Sequence, residues 1–515
     1  MFLHSKSKIS AAILSYIVLF LTTISSILLT PIILKYMGVD EYGLYQLINS
    51  FGRYILLLDF GIGSVMVRYI SEYRAKNDIE GEQNFSAIMG GVTLACIFLL
   101  VIVGVILNLN LENIFTELTS SDFEKSHKMF LMLIAQFALI LATHYYVGII
   151  KAYEKFNFVQ VISLVTVVLS FVLTVVLVKC GWGAVGIVFA HLLVSILSFL
   201  LQMLFVNHSL NFKIHLYKWD WLILKASSGL MLALLLQSVI GFINSSVGKT
   251  ILGIVCTKVD VAVFAIAMTI VTMFNTIPTL ISSFFQPKVM QMIVAKASKS
   301  DLTTLVVRVG RWQFILCGVV LGGLILFGQD FLYLWVGHSF NESQLFKSWL
   351  VILIILPFNM IPLVQTVCIS ILNGFDKRMD RSLILLGSSI LNVILSIILV
   401  NVYGLIGIAI ASALSFAVGY GFVMNYYYSR VIGLEVKRMF KEITQKTLLC
   451  ILLALLISSP LVQWNTNSWV GFILKCSAYT LVFSLFMLLW GFNKEEINII
   501  KQIISNLKGA KRVIH

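Results

Sequence analysis

The sequence predicts an all-α polytopic membrane protein of fourteen transmembrane helices, arranged as two six-helix lobes related by pseudo-two-fold symmetry plus two C-terminal helices. Three observations carry this. Of the 515 residues, 59% are hydrophobic and only 12% charged, with mean hydropathy +0.97, a balance that no soluble domain needs. Apolar segments long enough to cross a ~30 Å hydrocarbon core, which takes about 20 residues, recur along the whole chain. Two distant stretches also repeat one pattern of basic hairpin, apolar span and Gly turn.

In order, the spans are expected at 10–34, 43–67, 84–108, 128–150, 158–178, 184–206, 221–248, 259–286, 309–334, 348–373, 382–401, 404–428, 447–463 and 469–492. The first follows Lys6 and Lys8; it is too long for the apolar region of a signal peptide and is read as a retained span. Numbering the loops from an inside N-terminus places 27 of the 37 Lys and Arg on that side and seven on the other. The positive-inside rule therefore puts both termini in the cytoplasm. The basic tail 493–515 is weakly amphipathic and is expected to lie along anionic headgroups.

The repeat pairs IIKAYEKF (149–156) with ILNGFDKR (371–378), and GAVGIVFAHLLVS (183–195) with GLIGIAIASALSF (404–416). Six spans per copy is an even number, so both copies share one orientation, the parallel-repeat class of transporters. The expected organisation is an N-lobe over 1–206, a C-lobe over 207–428, two appended spans over 429–492 and the tail.

Charge inside spans costs several kcal/mol unless it faces protein or water, so it marks function or a specific contact. Arg53 and Asp59 lie inside the second segment. Read as one continuous helix, that segment puts Asn49 and Arg53 on one face and Asp59 about 120° away, which excludes Asp59 as Arg53's same-face partner. Asp59 is also read as the one carboxylate deep in any span. Arg53 is expected at a cavity wall, attracting an anion, with Asp59 as a candidate coupling residue. Gln237 and Asn244 in segment 7, and Asn275 beside a Thr/Ser row in segment 8 (Thr269, Thr272, Thr276, Thr279, Ser283), join Asn49 and Arg53 as candidate substrate-binding residues. A similar row in segment 1 comprises Ser15, Thr22, Ser26 and Thr30. For these hydroxyls the competing reading is helix packing.

Lys249 is a further binding candidate, set against snorkelling to the interface. Lys475 is expected to snorkel, and Lys225 and Arg311 to set topology. His144 and His191 are read as hydrogen-bonded packing residues, and Pro278, Pro357 and Pro362 as hinges or bends. The seven cysteines are scattered without CxxC spacing, so neither a disulfide frame nor a metal site is expected. No Walker A sequence and no dinucleotide loop is present; no cofactor, no enzymatic activity and no nucleic-acid partner is expected.

With TPIILKYMGVDEYGLYQL (30–47), LLDFGIGSVMVRYISEY (57–73), PTLISSFFQPKV (278–289), NGFDKR (373–378) and VYGLIGIAIASALS (402–415), the chain resembles the polysaccharide-transport branch of the multidrug/oligosaccharidyl-lipid/polysaccharide (MOP) exporter superfamily, in particular O-antigen or capsule repeat-unit flippases. The resemblance implies a bacterial inner-membrane protein whose segments 1, 2, 7 and 8 line a cationic cavity. It implies an undecaprenyl-pyrophosphate-linked oligosaccharide as substrate, surrounding membrane lipids, and a polysaccharide polymerase and glycosyltransferases as partners. A buried Arg in segment 2 occurs in some relatives, and Arg53 matches it. Segment 7 departs from the pattern, with GKT at 248–250 and no acidic residue near its outer end. A cation-coupled multidrug exporter of the same superfamily, or a non-transporting scaffold of a glycan-assembly complex, are the competing classes; the first would want cavity carboxylates.

Overall fold

The computed structural model describes residues 2–116, 118–464, 468–498 and 502, with the side chains of 2–9, 277, 280 and 283 excepted. Most of the tail 493–515, and the Ser283 side chain, therefore lie outside the described residues. What is described is almost wholly helical. The helices are α1 Phe2–Gly52, α2 Ile62–Ala75, α3 Ile79–Leu109, α4 Leu111–Ile114, α5 Ser120–Ala152, α6 Phe156–Lys179, α7 Gly183–Leu204, α8 Trp221–Phe242 and α9 Gly248–Val255. They continue with α10 Lys258–Val294, α11 Lys299–Val336, α12 Glu342–Val364, α13 Thr366–Gly374, α14 Arg378–Tyr403, α15 Leu405–Phe416, α16 Met424–Tyr427, α17 Val436–Ser458 and α18 Trp469–Phe486.

Among the described residues 13 stretches are long and apolar enough to span a membrane, against fourteen expected. The difference has a local cause. The first stretch, Ser10–Ala75, carries both the first and the second apolar segment, joined through a kink at Gly38 (φ 77°, ψ 173°). Long apolar helices dominate because nothing in a bilayer can satisfy exposed backbone groups except the helix itself. Several ends are closed by side chains: Thr119 with Asp122 and Ser298 with Asp301 form reciprocal capping boxes, and Asn341 with Gln344 does the same at α12.

The chain divides into two compact units. The first comprises 1–269 and 385–412, the second 270–384 and 413–515. In the first unit α5 is central and packs on α2, α3 and α7, while α1 lies against α6. Glu41 ties this bundle together at one end. Its carboxylate accepts from the Ala184 backbone N–H at 2.8 Å and from Lys125 Nζ at 3.0 Å, so α1 caps the N-terminus of α7 and holds α5. A Cβ on Gly183, itself at φ 53°, would sit 2.0 Å from Glu41 Oε1. Substituting Glu41→Ala is expected to lower stability by about 1–2 kcal/mol, the usual cost of losing a cap, and Glu41→Gln by less, because the amide oxygen still accepts. Thermal unfolding of the purified protein, followed by monodispersity, measures this; equal melting temperatures for wild type and Glu41→Ala would refute it.

In the second unit α11 is central, with α12, α17 and α18 around it. Two ion pairs inside this unit revise the sequence reading. Lys475 does not snorkel: its side chain is fully buried and donates to Asp330 at 2.7 Å. Asp330 lies near the end of the expected ninth span, 309–334. Arg311 is not a surface topology signal either. It is 3% exposed, bonds Glu496 through Nε at 2.7 Å and Nη2 at 3.0 Å, and donates to the carbonyls of Glu442 and Gly491. It thereby clasps α11, α17 and the segment after α18. Sequence position alone placed both bases near span ends, where exposure is the ordinary outcome; their partners lie 145 and 185 residues away.

Candidate anion-binding site

The second segment is not one helix. Helix α1 stops at Gly52, residues 55–59 form a tight 3₁₀ turn, and Phe60 (φ 49°) and Gly61 (φ 66°) are both left-handed before α2 begins at Ile62. This corrects the continuous-helix reading on which the Asn49–Arg53–Asp59 faces were drawn. Irregular backbone at membrane depth survives where protein encloses it. Here α3, α5 and α8 surround the break. Ile55 is fully buried, Phe51 meets Phe115 and Phe130, and Tyr54 lies edge-on to Phe242 at 4.4 Å. Glycine is needed at 61 twice over, for the positive φ and because a Cβ would meet Leu234 of α8 at 2.6 Å.

Arg53 sits at the start of this break, its N–H bonded to the Asn49 carbonyl at 3.3 Å and its side chain exposed. Electrostatically it acts on Tyr45, on His191 of α7 and on Lys249 at the start of α9. Lys249 does not reach for an interface. Its Nζ donates to Gln46 Oε1 at 3.0 Å, and Gln46 in turn donates to the Tyr42 hydroxyl at 2.9 Å. Tyr42, Gln46 and Asn49 recur at helical spacing on one face of α1. That spacing was the available signal for Gln46, which the sequence reading left unassigned. Close approach makes the contact: Leu47 of α1 packs where a Cβ on Gly253 of α9 would stand, 2.1 Å away.

Asp59 is held elsewhere. Its Oδ2 lies 2.9 Å from Nδ1 of His144 on α5, and its Oδ1 is buried without a partner. His144 is thus hydrogen-bonded, as the sequence reading has it, and Asp59 is engaged across the bundle instead of with Arg53. Among the described residues neither Arg53 nor Lys249 makes an ion pair. Two bases with a histidine near them, and no carboxylate on either among the described residues, are an arrangement that favours an anion over a cation.

The other candidates are placed as follows. Asn244 lies in a wide π turn between α8 and α9 and faces a small polar cavity with Ser245, Asn392, Ser396 and Ser412. Gln237 is exposed on α8. Asn275 belongs to the second unit, where its side-chain oxygen accepts from Asn359, itself 5% exposed. The hydroxyl rows behave as backbone partners: Ser15, Thr22 and Thr30 bond carbonyls four residues back in α1, and Thr276 and Thr279 do so in α10. Pro357 and Pro362 lie within α12, which ends at Val364. Among the described residues no three His, Cys, Asp or Glu are grouped to hold a metal.

Compared with solved structures, the chain is similar to the lipid II flippase MurJ in its inward closed conformation, with a TM-score of 0.74 at 16% identity over 93% of this chain and 98% of that one. It is also similar to an inward-facing multidrug-resistance MATE transporter of the MOP superfamily, with a TM-score of 0.61 at 16% identity over 82% of this chain and 95% of the other. The fold is that of the MOP-superfamily transporters. A MOP transporter from Pyrococcus furiosus gives 0.51 at 18% identity, covering 84% of this chain and 95% of its own. No protein-family model and no curated sequence matches the chain. At these identities the likeness is one of MOP architecture, and the chemistry of the site rests on this chain's own residues.

Proposed function

We propose that the chain is a flippase that carries an undecaprenyl-pyrophosphate-linked oligosaccharide from the cytoplasmic to the outer leaflet of a bacterial inner membrane, for O-antigen or capsule synthesis. The single observation behind this reading is the pair Arg53 and Lys249, which act on one another electrostatically and have no carboxylate partner among the described residues, with Arg53 at a break in a membrane segment. Such a pair repels organic cations and favours a diphosphate, which accepts bidentate hydrogen bonds from a guanidinium. Gln46 orients Lys249, and the amides of Asn49, Gln237 and Asn244 address sugar hydroxyls. The repeats 1–206 and 207–428 would exchange access to the two leaflets. The lipid II flippase among the structural neighbours acts, by its name, on a lipid-linked substrate, which agrees with this class. A multidrug exporter would want a free cavity carboxylate, and Asp59 is bound to His144.

Reconstitution tests the proposal. Liposomes holding the purified protein and a fluorescent undecaprenyl-pyrophosphate oligosaccharide are expected to move the label to the opposite leaflet, where an added glycosidase cleaves it. Protein-containing liposomes that cleave no faster than empty ones would overturn it, and uptake of a cationic dye by the same liposomes would support the exporter instead.

A further inference from the structure

One end of the first unit carries a second polar crevice, of about 350 Å³, unconnected with the Arg53 site by any residue in common. It forms where the turns between α2 and α3 and between α5 and α6 meet the segment 210–220. The positive-inside count assigns this end to the cytoplasm. The segment is tied down: Asn84 Oδ1 accepts from the backbone N–H groups of Tyr217 and Lys218, and the Tyr217 hydroxyl donates to Gln83. The crevice is therefore a formed site rather than a gap under a loose loop.

Its floor is Glu82. The residue is 5% exposed, its carboxylate is bonded on one side to Tyr153, and Oε1 is buried with no partner. A buried acceptor left unmade is costly, and a small shift of the Glu82 side chain would open it to an O–H or N–H donor from outside the protein. Around it stand the amides of Asn77 and Asn211, the guanidinium of Arg74 (stacked on the Tyr153 ring at 3.5 Å) and the ammonium of Lys213. Two acids, Glu82 and Asp78, balance two bases, so the crevice selects little for net charge. Asp78 is already occupied in capping α3 through the Gly81 N–H. What remains is one demanding acceptor facing several donors and two amides, within the size range of small-ligand pockets.

We propose that this crevice binds a neutral sugar ring, one hydroxyl donating to the Glu82 carboxylate and others accepting from Arg74, Lys213 and the two amides. Resting on the flippase reading, the sugar is part of the lipid-linked glycan, docked at the cytoplasmic end before it is moved. The binding itself does not require that reading and is tested without lipid. The protein is placed in nanodiscs free of glycoside detergent and titrated with the methyl glycosides of glucose, galactose, N-acetylglucosamine and N-acetylgalactosamine. Saturation-transfer NMR and calorimetry are the readouts.

At least one of the four is expected to bind saturably with a millimolar Kd, the strength usual for a fragment of this size. Glu82→Gln is expected to weaken that sugar about tenfold, the loss of a hydrogen bond to a charged acceptor. Lys213→Ala, an exposed change that leaves the fold alone, is expected to weaken it about threefold, as for a weaker hydrogen bond. Absence of saturable binding by all four to the wild-type protein, or binding that both variants leave unchanged, overturns the proposal. Translocation without fragment binding would count against the crevice alone. Fragment binding without translocation would count against the flippase reading alone.

Discussion

Replacing Arg53 with Ala is expected to abolish restoration of surface polysaccharide in a flippase-null strain at equal expression, while Arg53→Lys restores a fraction. The argument starts from geometry. Arg53 stands where α1 ends, so its side chain leaves the helix at the break instead of lying along a helical face. It has no counter-ion among the described residues, and its neighbours Lys249 and His191 are basic or neutral. On the proposed function, a diphosphate would replace that missing counter-charge. Removing the guanidinium deletes one or two charge-assisted hydrogen bonds, each about 1.5–3 kcal/mol, or roughly ten- to a hundredfold in rate for each. Lysine keeps the charge and loses the fork, so it recovers the electrostatic part only. Full polysaccharide from both variants would remove Arg53 from the binding site.

The second large effect concerns stability. Arg311→Ala is expected to destabilise the protein by about 3–5 kcal/mol, because Glu496 is then left buried and unpaired. The pair is almost fully enclosed, at 3% and 6% side-chain exposure, and the same guanidinium also satisfies two backbone carbonyls. The double variant Arg311→Met with Glu496→Leu is expected to recover much of the loss, since neither charge remains to be desolvated. Thermal unfolding of the detergent-solubilised variants checks both statements. A melting temperature for Arg311→Ala equal to that of wild type would show that the clasp carries no stability.

Hydropathy made the spans legible, because a bilayer admits few alternatives to a helix of about 20 apolar residues. Arg53 and Lys249 were legible for the same reason: a base in an apolar segment stands out from its surroundings. The break between Gly52 and Ile62 was not. Its residues, Arg53 to Gly61, include the apolar run Ile55–Leu58, which reads as more of the same helix, and Gly61 is unremarkable in a membrane span, where glycine is common. Nor were the partners of Asp59, Lys475 and Arg311 legible. Each is set by packing between helices far apart in the chain, and one sequence carries no record of which distant residues touch. The hydroxyl rows of segments 1 and 8 were ambiguous in the sequence, since a Ser or Thr that bonds its own helix carbonyl leaves the same periodic trace as one facing water.

The interruption in segment 2 has a mechanical meaning. An unbroken helix transmits torque along its length through its ladder of hydrogen bonds, so a twist at one membrane face reaches the other. Between Gly52 and Ile62 that ladder is replaced by a short turn and two left-handed residues. The bolt, so to speak, has a universal joint at its midpoint. On the proposed function, a ligand held by Arg53 would load α1, with α9 packed against it, while α2 stays seated against α5. The axle is cut where the proposed cargo would be gripped, so that the two faces of the membrane could be worked in turn.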